Sequence, residues 1–416
     1  MRYIFNPEHD LCLANGSPTF VPPESALKFG HDCRNIMENV LGQSGDGEAI
    51  VPWGWDNVLK YNLLKAGTPE ELLPSDEALE QIRSLSHRRT AIKAGKYIRE
   101  RLKNSVPAGF LVKDTPEEID CPDMINEFLA KHPSAVFKAP WSGSGKGLRW
   151  VRSNEFSHSD RGWCRNIIAK QGSVIAERRE DVVCDFAMLF QSTATGIIFE
   201  GYSLFDTDNG AYRSNILASD RYILSHLSRF IPENVLTAVR RQLTTFLKDN
   251  FSGRYEGYLG VDMFICRANT ETDSVHGTDT FGKDKNPGRF IPTEDSQGKY
   301  LLNPCVEINV RMTMGLLARK YFDRHMQHGT IPGYSEAHDV TECCMEETVS
   351  DNDKASIDGR YRFSVVYAPN PATLRTQLAP AVRILTSISE STRYCIAIFT
   401  GPLPHAMSCA PLPEEQ

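Results

Sequence analysis

The sequence lacks the two best-known glycine-rich nucleotide-binding motifs. Residues 136–151, VFKAPWSGSGKGLRWV, interleave glycines with lysine, but Gly145-Lys146 is followed by Gly147 where a Walker loop needs serine or threonine. A dinucleotide-binding fingerprint fails as well, because Leu148 stands where its third glycine belongs. Neither of these motifs therefore explains the glycines and lysines of this segment.

Long apolar runs and an excess of positive charge are missing too. No stretch of about 18 apolar residues is present, which argues against a membrane span. Lysine and arginine number 46 against 53 acidic residues, a net charge of −7, so no broad basic field for nucleic acid is expected. The start, MRYIFNPEHD, lacks the pattern of a signal peptide. We expect a cytoplasmic protein without a membrane or nucleic-acid partner.

The eleven cysteines include no CxxC pair, and their number is odd. This usage is typical of reduced, buried thiols rather than a disulfide framework. The adjacent Cys343 and Cys344 have no spaced histidine partner, so we predict no metal site there.

At 416 residues the chain is too long for one core, and its patterns divide it into three parts. Alternating strand and helix patterns predict a small parallel α/β domain over 1–83. Residues 84–190 predict an α+β subdomain that carries the glycine-rich loop, and 191–416 a larger one with a C-terminal extension. Within the larger subdomain, 267–300 is a polar excursion that joins two strands.

Several local patterns give more specific expectations. Residues 7–23 and 331–360 are expected to be loops, and 108–112 (AGFLV) a strand. Strong helical propensity runs through 76–104, and 374–387 is also expected to be helical.

Lys138 ends an apolar strand directly before the glycine-rich run. Phosphates need a countercharge together with backbone N–H donors that approach without interference from Cβ atoms. The segment therefore predicts a phosphate site, with a solvated hairpin as the alternative.

The segment VIAERREDVVCDFAMLF joins two apolar strands by a charged linker between Glu177 and Asp185. Such a linker can place backbone groups against an adenine edge and carboxylates near the ribose hydroxyls. A charged surface connection is the alternative.

A third feature places polar groups within two apolar strands. Asp262 lies inside GYLGVDMFIC, while Glu307, Asn309 and Arg311 alternate along LLNPCVEINVRMTMG and so share one face. Carboxylate and amide oxygens suit Mg²⁺, and an adjacent arginine suits a phosphate or carboxylate. A solvated edge strand is the alternative, but it does not explain the acid at 262.

Taken in this order, these features resemble the ATP-grasp superfamily over about residues 84–320. The resemblance implies a fold of two α+β subdomains that sandwich ATP, preceded by a small α/β domain. It also implies an ATP- and Mg²⁺-dependent ligase that joins a carboxylate to an amine or other nucleophile through an acylphosphate. A phosphotransferase and a non-catalytic nucleotide-binding regulator on the same fold are the alternatives.

The resemblance also assigns roles by position. Lys138 and Arg311 are the catalytic residues it implies, and Lys138 would contact the α- and β-phosphates. The glycine-rich loop would close over the triphosphate with Ser142, Gly143, Ser144, Gly145 and Gly147. Lys146 is a loop residue with no assigned role. Adenine and ribose would be held by Glu177, Arg178, Arg179 and Asp185, with Glu180 or Asp181 as ribose alternatives. Mg²⁺ would be held by Asp262, Glu307 and Asn309.

One position departs from the family pattern. Where these enzymes often have an Asp-Lys pair that contacts phosphates, this chain has His87-Arg88-Arg89. We expect Arg89 or Lys93 to take that role.

Substrates are expected to be small-molecule or peptide carboxylates and amines, and the sequence is compatible with a homo-oligomer. Arg213 and Asn215, near Tyr212, are candidates to hold a substrate carboxylate, with a polar turn as the alternative. His9 follows the first strand, where ligands of α/β folds bind, and is a candidate ligand or base. A solvated loop histidine is the alternative.

Overall fold

The protein is described here by a computed structural model, which covers residues 2–42, 49–143, 147–208, 210–268, 299–326, 330–331, 347–348 and 358–401. Three residues of the glycine-rich loop, Ser144, Gly145 and Lys146, lie outside these ranges. So do most of the excursion 267–300 and the pair Cys343-Cys344.

The N-terminal unit is built on two parallel strands, as predicted, and four helices. The strands are β1 (Arg2–Ile4) and β2 (Ile50–Pro52), and the helices are α1 (His9–Asn15), α2 (Glu24–Asp32), α3 (Ile36–Leu41) and α4 (Asn57–Lys65). The loop predicted for 7–23 is wrong in part, because α1 forms there. Cys12 and Leu13 bury one face of that helix, and Gly16 ends it in a left-handed conformation.

The helical region predicted over 76–104 is two helices, α5 (Asp76–Ser86) and α6 (Arg89–Leu102). The break falls at His87, whose backbone is extended. Helix α6 turns Ala94 and Ile98 into the main hydrophobic core.

A four-stranded antiparallel sheet forms the small subdomain, in the order β3-β6-β4-β5. Its elements are β3 (Glu117–Ile119), α7 (Met124–Lys131), β4 (Ser134–Lys138), β5 (Leu148–Arg152), α8 (His158–Gln171) and β6 (Val174–Arg178). The strand predicted for 108–112 is wrong. A 3-10 helix spans Val106–Phe110, where the proline fixes a turn, and only Leu111 makes a bridge to Leu302.

The large subdomain is an eight-stranded antiparallel sheet, in the order β11-β10-β7-β8-β9-β14-β16-β15. The strands are β7 (Val182–Thr193), β8 (Gly196–Asp208), β9 (Ala211–Leu217), β10 (Gly257–Arg267), β11 (Tyr300–Asn309), β14 (Tyr361–Tyr367), β15 (Ala381–Ile384) and β16 (Tyr394–Thr400). The helices are α9 (Asp220–Leu227), α10 (Glu233–Phe251), α11 (Met314–His325) and α12 (Pro371–Leu378).

Two hydrophobic cores lie on opposite faces of this sheet. Helices α5, α6, α9 and α10 contribute to the first, together with Phe186 and Met188 of β7. Helix α11 and the N-terminal unit pack on the other face, against Ala187 and Leu189 of the same strand. The predicted combination of an α/β unit with two α+β subdomains is confirmed.

Two further expectations are modified by the structure. The helix predicted over 374–387 ends at Leu378, because Pro380 cannot continue it, and β15 follows. Of the predicted loop 331–360, most lies outside the described residues, which include only the short pair β12 (Thr330–Ile331) and β13 (Glu347–Thr348) and a turn from 358.

The eight described cysteines are free thiols, and all but Cys121 are buried, as predicted. Among the described helices, none is both long enough and apolar enough to cross a bilayer.

Replacing Ile98 by alanine should destabilise the protein by about 2–5 kcal/mol, because the side chain is 0% exposed where α6 meets the large sheet. Urea unfolding measures this loss. The matched control is Lys96→Ala on the exposed side of the same helix, which should change stability little. Equal stabilities of the two variants would contradict the packing described for α6.

Candidate active site

The two carboxylates predicted for the metal site, Asp262 and Glu307, are direct neighbours on adjacent strands. Asp262 of β10 stands opposite Glu307 of β11, and Asn309 stands opposite Gly260. Nδ2 of Asn309 donates a hydrogen bond of 3.0 Å to Oδ2 of Asp262. The strand alternation expected from the sequence is present, since Ile308 is buried on the opposite face.

The pKa of Asp262 reflects its burial and how close the two carboxylates lie to each other. Burial, and then repulsion by Glu307, raises the pKa of Asp262 to about 7. No cluster of three or more His, Cys, Asp or Glu side chains suited to a metal exists among the described residues. The set is two carboxylates and one amide, which fits Mg²⁺ only if phosphate oxygens and water complete its shell, as is usual for this ion.

Arg88 connects this group to the start of the glycine-rich loop. It is 6% exposed, and Nη2 donates to Oε2 of Glu307 at 2.8 Å. Nη1 donates to Oγ of Ser142 at 2.8 Å and also to the carbonyl oxygen of Ala139. The backbone N–H of Arg88 bonds the Pro140 carbonyl at 3.1 Å, so the break between α5 and α6 fixes its position.

The residues named from the sequence for this role lie elsewhere. Arg89 is half-exposed and donates to Oε1 of Glu118 at 2.6 Å, on β3 of the small sheet. Lys93 is exposed on α6. No signal in the sequence pointed to Arg88, because the sequence predicted one helical region over 76–104 and the break at His87 appears only in the structure.

Lys138 lies where β4 ends, as predicted, but its partner is the side chain of Glu177. Nζ donates to Oε2 at 2.7 Å, and the lysine and glutamate side chains are 7% and 8% exposed. The register places Val136 opposite Glu177, so the two charged side chains lie diagonally on one face of the small sheet. Glu177 thus offers both its backbone and a carboxylate at the end of β6.

A shallow cleft opens between this strand end and the large sheet. Its lining residues are Val112, Asp114, Thr115, Pro116, Glu177, Arg178, Glu180, Phe264 and Asn303. Nε and Nη2 of Arg178 each donate a hydrogen bond of 2.9 Å to a carboxylate oxygen of Glu180. The cleft therefore contains apolar walls and several carboxylates next to Lys138.

The other predicted adenosine contacts lie around this cleft rather than in its wall. Asp185 lies inside β7, and its Oδ2 accepts from Thr207 at 2.7 Å. Asp181 is exposed and pairs with Arg267 at 2.6 Å. Arg179 bonds the small sheet through its backbone N–H. Of the three ribose candidates, only Glu180 lines the cleft.

Arg311 lies where the N-terminal unit meets the large sheet. Asp10 of α1 accepts from Nη2 at 2.7 Å and from Nε at 3.0 Å. Although burial opposes the effect, Arg311 holds the pKa of Asp10 below its ordinary value. A Cβ added to Gly143 would lie 2.3 Å from Oδ2 of Asp10, so the glycine-rich loop begins against the same carboxylate. Three parts of the chain meet at this ion pair.

The three substrate candidates lie in different surroundings. Asn215 is 1% exposed, and its amide donates to Ser203 at 2.8 Å and accepts from Tyr212 at 2.7 Å. That amide is used inside the sheet and does not face the cleft. Arg213 is partly buried on β9. His9 is 1% exposed rather than solvated, and it contacts Asp56.

No known family profile and no curated protein sequence matches this chain. Solved structures are similar to it at low identity. One is an N5-carboxyaminoimidazole ribonucleotide synthetase in complex with ADP, with 12% identity, a TM-score of 0.45 and coverage of 96% of this chain and 91% of that chain. The Staphylococcus aureus N5-carboxyaminoimidazole synthetase complexed with ADP gives 11% identity, a TM-score of 0.44 and coverage of 96% and 92%.

A biotin carboxylase from Campylobacter jejuni, in a β,γ-ATP complex, gives 12% identity and a TM-score of 0.43, and the match covers 86% of this chain and 71% of that chain.

The raised pKa of Asp262 makes the stability of the metal-free protein depend on pH. The folded protein keeps this proton up to about pH 7, whereas the unfolded chain releases it near 3.8, so the free energy of unfolding falls as pH rises between these values. Asp262→Asn should remove that contribution, on the order of 1–3 kcal/mol.

Urea unfolding in EDTA, from roughly pH 5 to 8, measures the difference between wild type and Asp262→Asn. The exposed Asp249→Asn is the control and should follow wild type at every pH. Parallel curves for wild type and Asp262→Asn would contradict the crowding of the two acids.

Proposed function

We propose that this chain is an ATP-grasp enzyme, an ATP- and Mg²⁺-dependent ligase that joins a carboxylate to an amine or other nucleophile. The observation that carries the proposal is the meeting of Asp262, Glu307 and Asn309 with Arg88 and the start of the glycine-rich loop. Acids that could share a metal, and cations that could bind phosphate, converge from two subdomains at one place.

The cleft between the subdomains is the proposed adenosine site. Apolar walls from Val112 and Phe264 suit the base, and the end of β6 offers backbone groups to its edge. Glu180 is the proposed ribose contact, because it lines the cleft. Lys138 would then turn from Glu177 to the phosphates, a move that exchanges one buried negative partner for another.

Arg88, rather than Arg89 or Lys93, takes the phosphate role in this proposal. Its guanidinium donates to Ser142, at the first turn of the loop that would close over the triphosphate, and to Glu307 of the metal set. A planar fork of donors suits phosphate oxygens. Arg88 would move from Glu307 to phosphate when the metal takes this carboxylate.

Phosphoryl transfer of this kind needs positioning and charge neutralisation rather than a protein nucleophile. Bound MgATP would supply the phosphoryl group that activates the substrate carboxylate as an acylphosphate. Glu307, Asn309 and Asp262 would hold the metal, and Lys138 and Arg88 would neutralise the phosphate oxygens. Arg311, fixed by Asp10, would hold the anionic group of the substrate and the oxyanion formed on it.

ADP release should depend on both a carboxylate and an amine. Pooled carboxylic acids and amino acids, with MgATP, should give ADP together with a product of amide mass. Glu307→Gln and Asn309→Ala should each lower this rate by about 100-fold or more, since a metal contributes several kcal/mol to such transition states.

The control is Glu256→Gln, an exposed acid just before β10, which should react like wild type. A phosphorylated product without an amine would identify a phosphotransferase instead, and nucleotide binding without turnover in any pool would identify a regulator. Wild-type rates in Glu307→Gln would overturn the metal assignment.

Arg88 and Arg89 can be compared directly by MgADP binding. Arg88→Ala should weaken binding by about 10-fold or more, because a buried charged hydrogen bond is worth about 1.5–3 kcal/mol. Arg89→Ala should lose far less, since Arg89 is half-exposed and pairs with Glu118, away from the proposed phosphate site. Isothermal titration calorimetry measures the MgADP affinity of both variants. A larger loss of affinity in Arg89→Ala than in Arg88→Ala would return the phosphate role to Arg89.

A further inference from the structure

A buried histidine and carboxylate pair lies in the N-terminal unit, next to the residue that holds Arg311. His9 is 1% exposed, and its Nδ1 lies 3.2 Å from Oδ2 of Asp56. An ionised carboxylate can only accept, so the hydrogen belongs on Nδ1. That tautomer leaves Nε2 with its lone pair, which is the form of imidazole that takes a proton.

The carboxylate that orients the ring is itself fixed at both oxygens. The backbone N–H of Leu59 donates to Oδ1 of Asp56 at 2.9 Å, where Asp56 begins helix α4. Nδ2 of Asn6 donates to Oδ2 at 3.2 Å and to the carbonyl of Gly54 at 2.8 Å. This is the support that a general base needs, with each group held by the next.

The far side of the ring ends in a buried nitrogen, Nε2. Nε2 of His9 is buried and makes no hydrogen bond within the described part of the chain, and the same is true of Oε2 of Glu8. Buried acceptors without donors are rare, and reactive sites are one reason to keep them. The ring also depends on Gly54, because a Cβ there would lie 2.7 Å from it.

The His9–Asp56 pair lies next to residues of the proposed active site. His9 and Asp10 are consecutive on α1, and Asp10 binds Arg311 and meets Gly143. The charged groups around the imidazole are the carboxylates of Glu8, Asp10 and Asp56 and the guanidinium groups of Arg311 and Arg88, of which Arg311 is paired with Asp10. Burial raises the pKa of Glu8 to about 7, and a cationic amine beside this carboxyl group would favour its ionised form.

We propose that His9 is the general base that accepts a proton from an amine nucleophile, with Glu8 as its binding carboxylate and Asp56 as the positioning residue. This inference rests on the ligase function proposed above. The bound ammonium first gives one proton to Nε2, and the nitrogen lone pair that this frees forms the C–N bond to the acyl carbon. The C–O bond to the phosphate then breaks, and phosphate leaves with the electron pair and takes the second N–H proton.

Hydroxylamine separates this step from the formation of the acylphosphate. It is uncharged at neutral pH and needs no protein base, so wild type with MgATP, pooled carboxylic acids and hydroxylamine should form ADP and hydroxamates. In His9→Gln, hydroxamate formation should stay within about threefold of wild type, while amide formation from pooled amines should fall by roughly 100-fold or more.

Two further variants distinguish a base from a structural histidine. Asp56→Asn should lower amide formation and move the rising limb of its pH–rate profile to lower pH, because the imidazolium loses its carboxylate partner. His31→Gln, which removes an exposed histidine beside Asp32 in the same unit, should change neither reaction. Thermal unfolding of each variant confirms that it is folded.

Equal loss of hydroxamate and amide in a folded His9→Gln would overturn the proposal, and so would unchanged amide formation. An unmoved pH profile in Asp56→Asn would overturn the role of Asp56. Absence of hydroxamate from wild type with every carboxylate would instead refute the ligase function itself.

Discussion

Two carboxylates that face each other across neighbouring strands are the constraint on which the rest of the site depends. Asp262 and Glu307 repel each other, and Asp262 is driven toward its neutral form. Such a pair is costly to bury unless cations are brought to it. The chain supplies Arg88 from a helix break and Arg311 two residues after Asn309. A divalent metal with phosphate would satisfy the same charges.

The counterions also explain how the parts of the chain are held around the site. Arg88 joins the metal set to the first residues of the glycine-rich loop, and Asp10 joins Arg311 to the N-terminal unit. Each pair is largely buried, so losing one partner would leave an uncompensated charge. In the proposed function, ligand groups would replace these partners.

The sequence could predict that Asp262, Glu307 and Asn309 are neighbours, because strand alternation is a local rule. Asp262, Glu307 and Asn309 needed only correct strands and a shared face. Arg88 was missed, since its place depends on a helix break and on a backbone bond to Pro140, far along the chain. The surroundings of Asn215 were not predictable for a similar reason: its amide binds Tyr212 of the same strand and Ser203 of the neighbouring strand, which composition does not reveal.

The most direct test of the account is a crystal structure with Mn²⁺ and ADP, in which anomalous scattering locates the metal. The account predicts Mn²⁺ within about 2.2 Å of oxygens of Glu307 and Asn309, with Arg88 moved from Glu307 to phosphate. A metal bound elsewhere, or nucleotide bound while the Arg88–Glu307 pair stays intact, would contradict it.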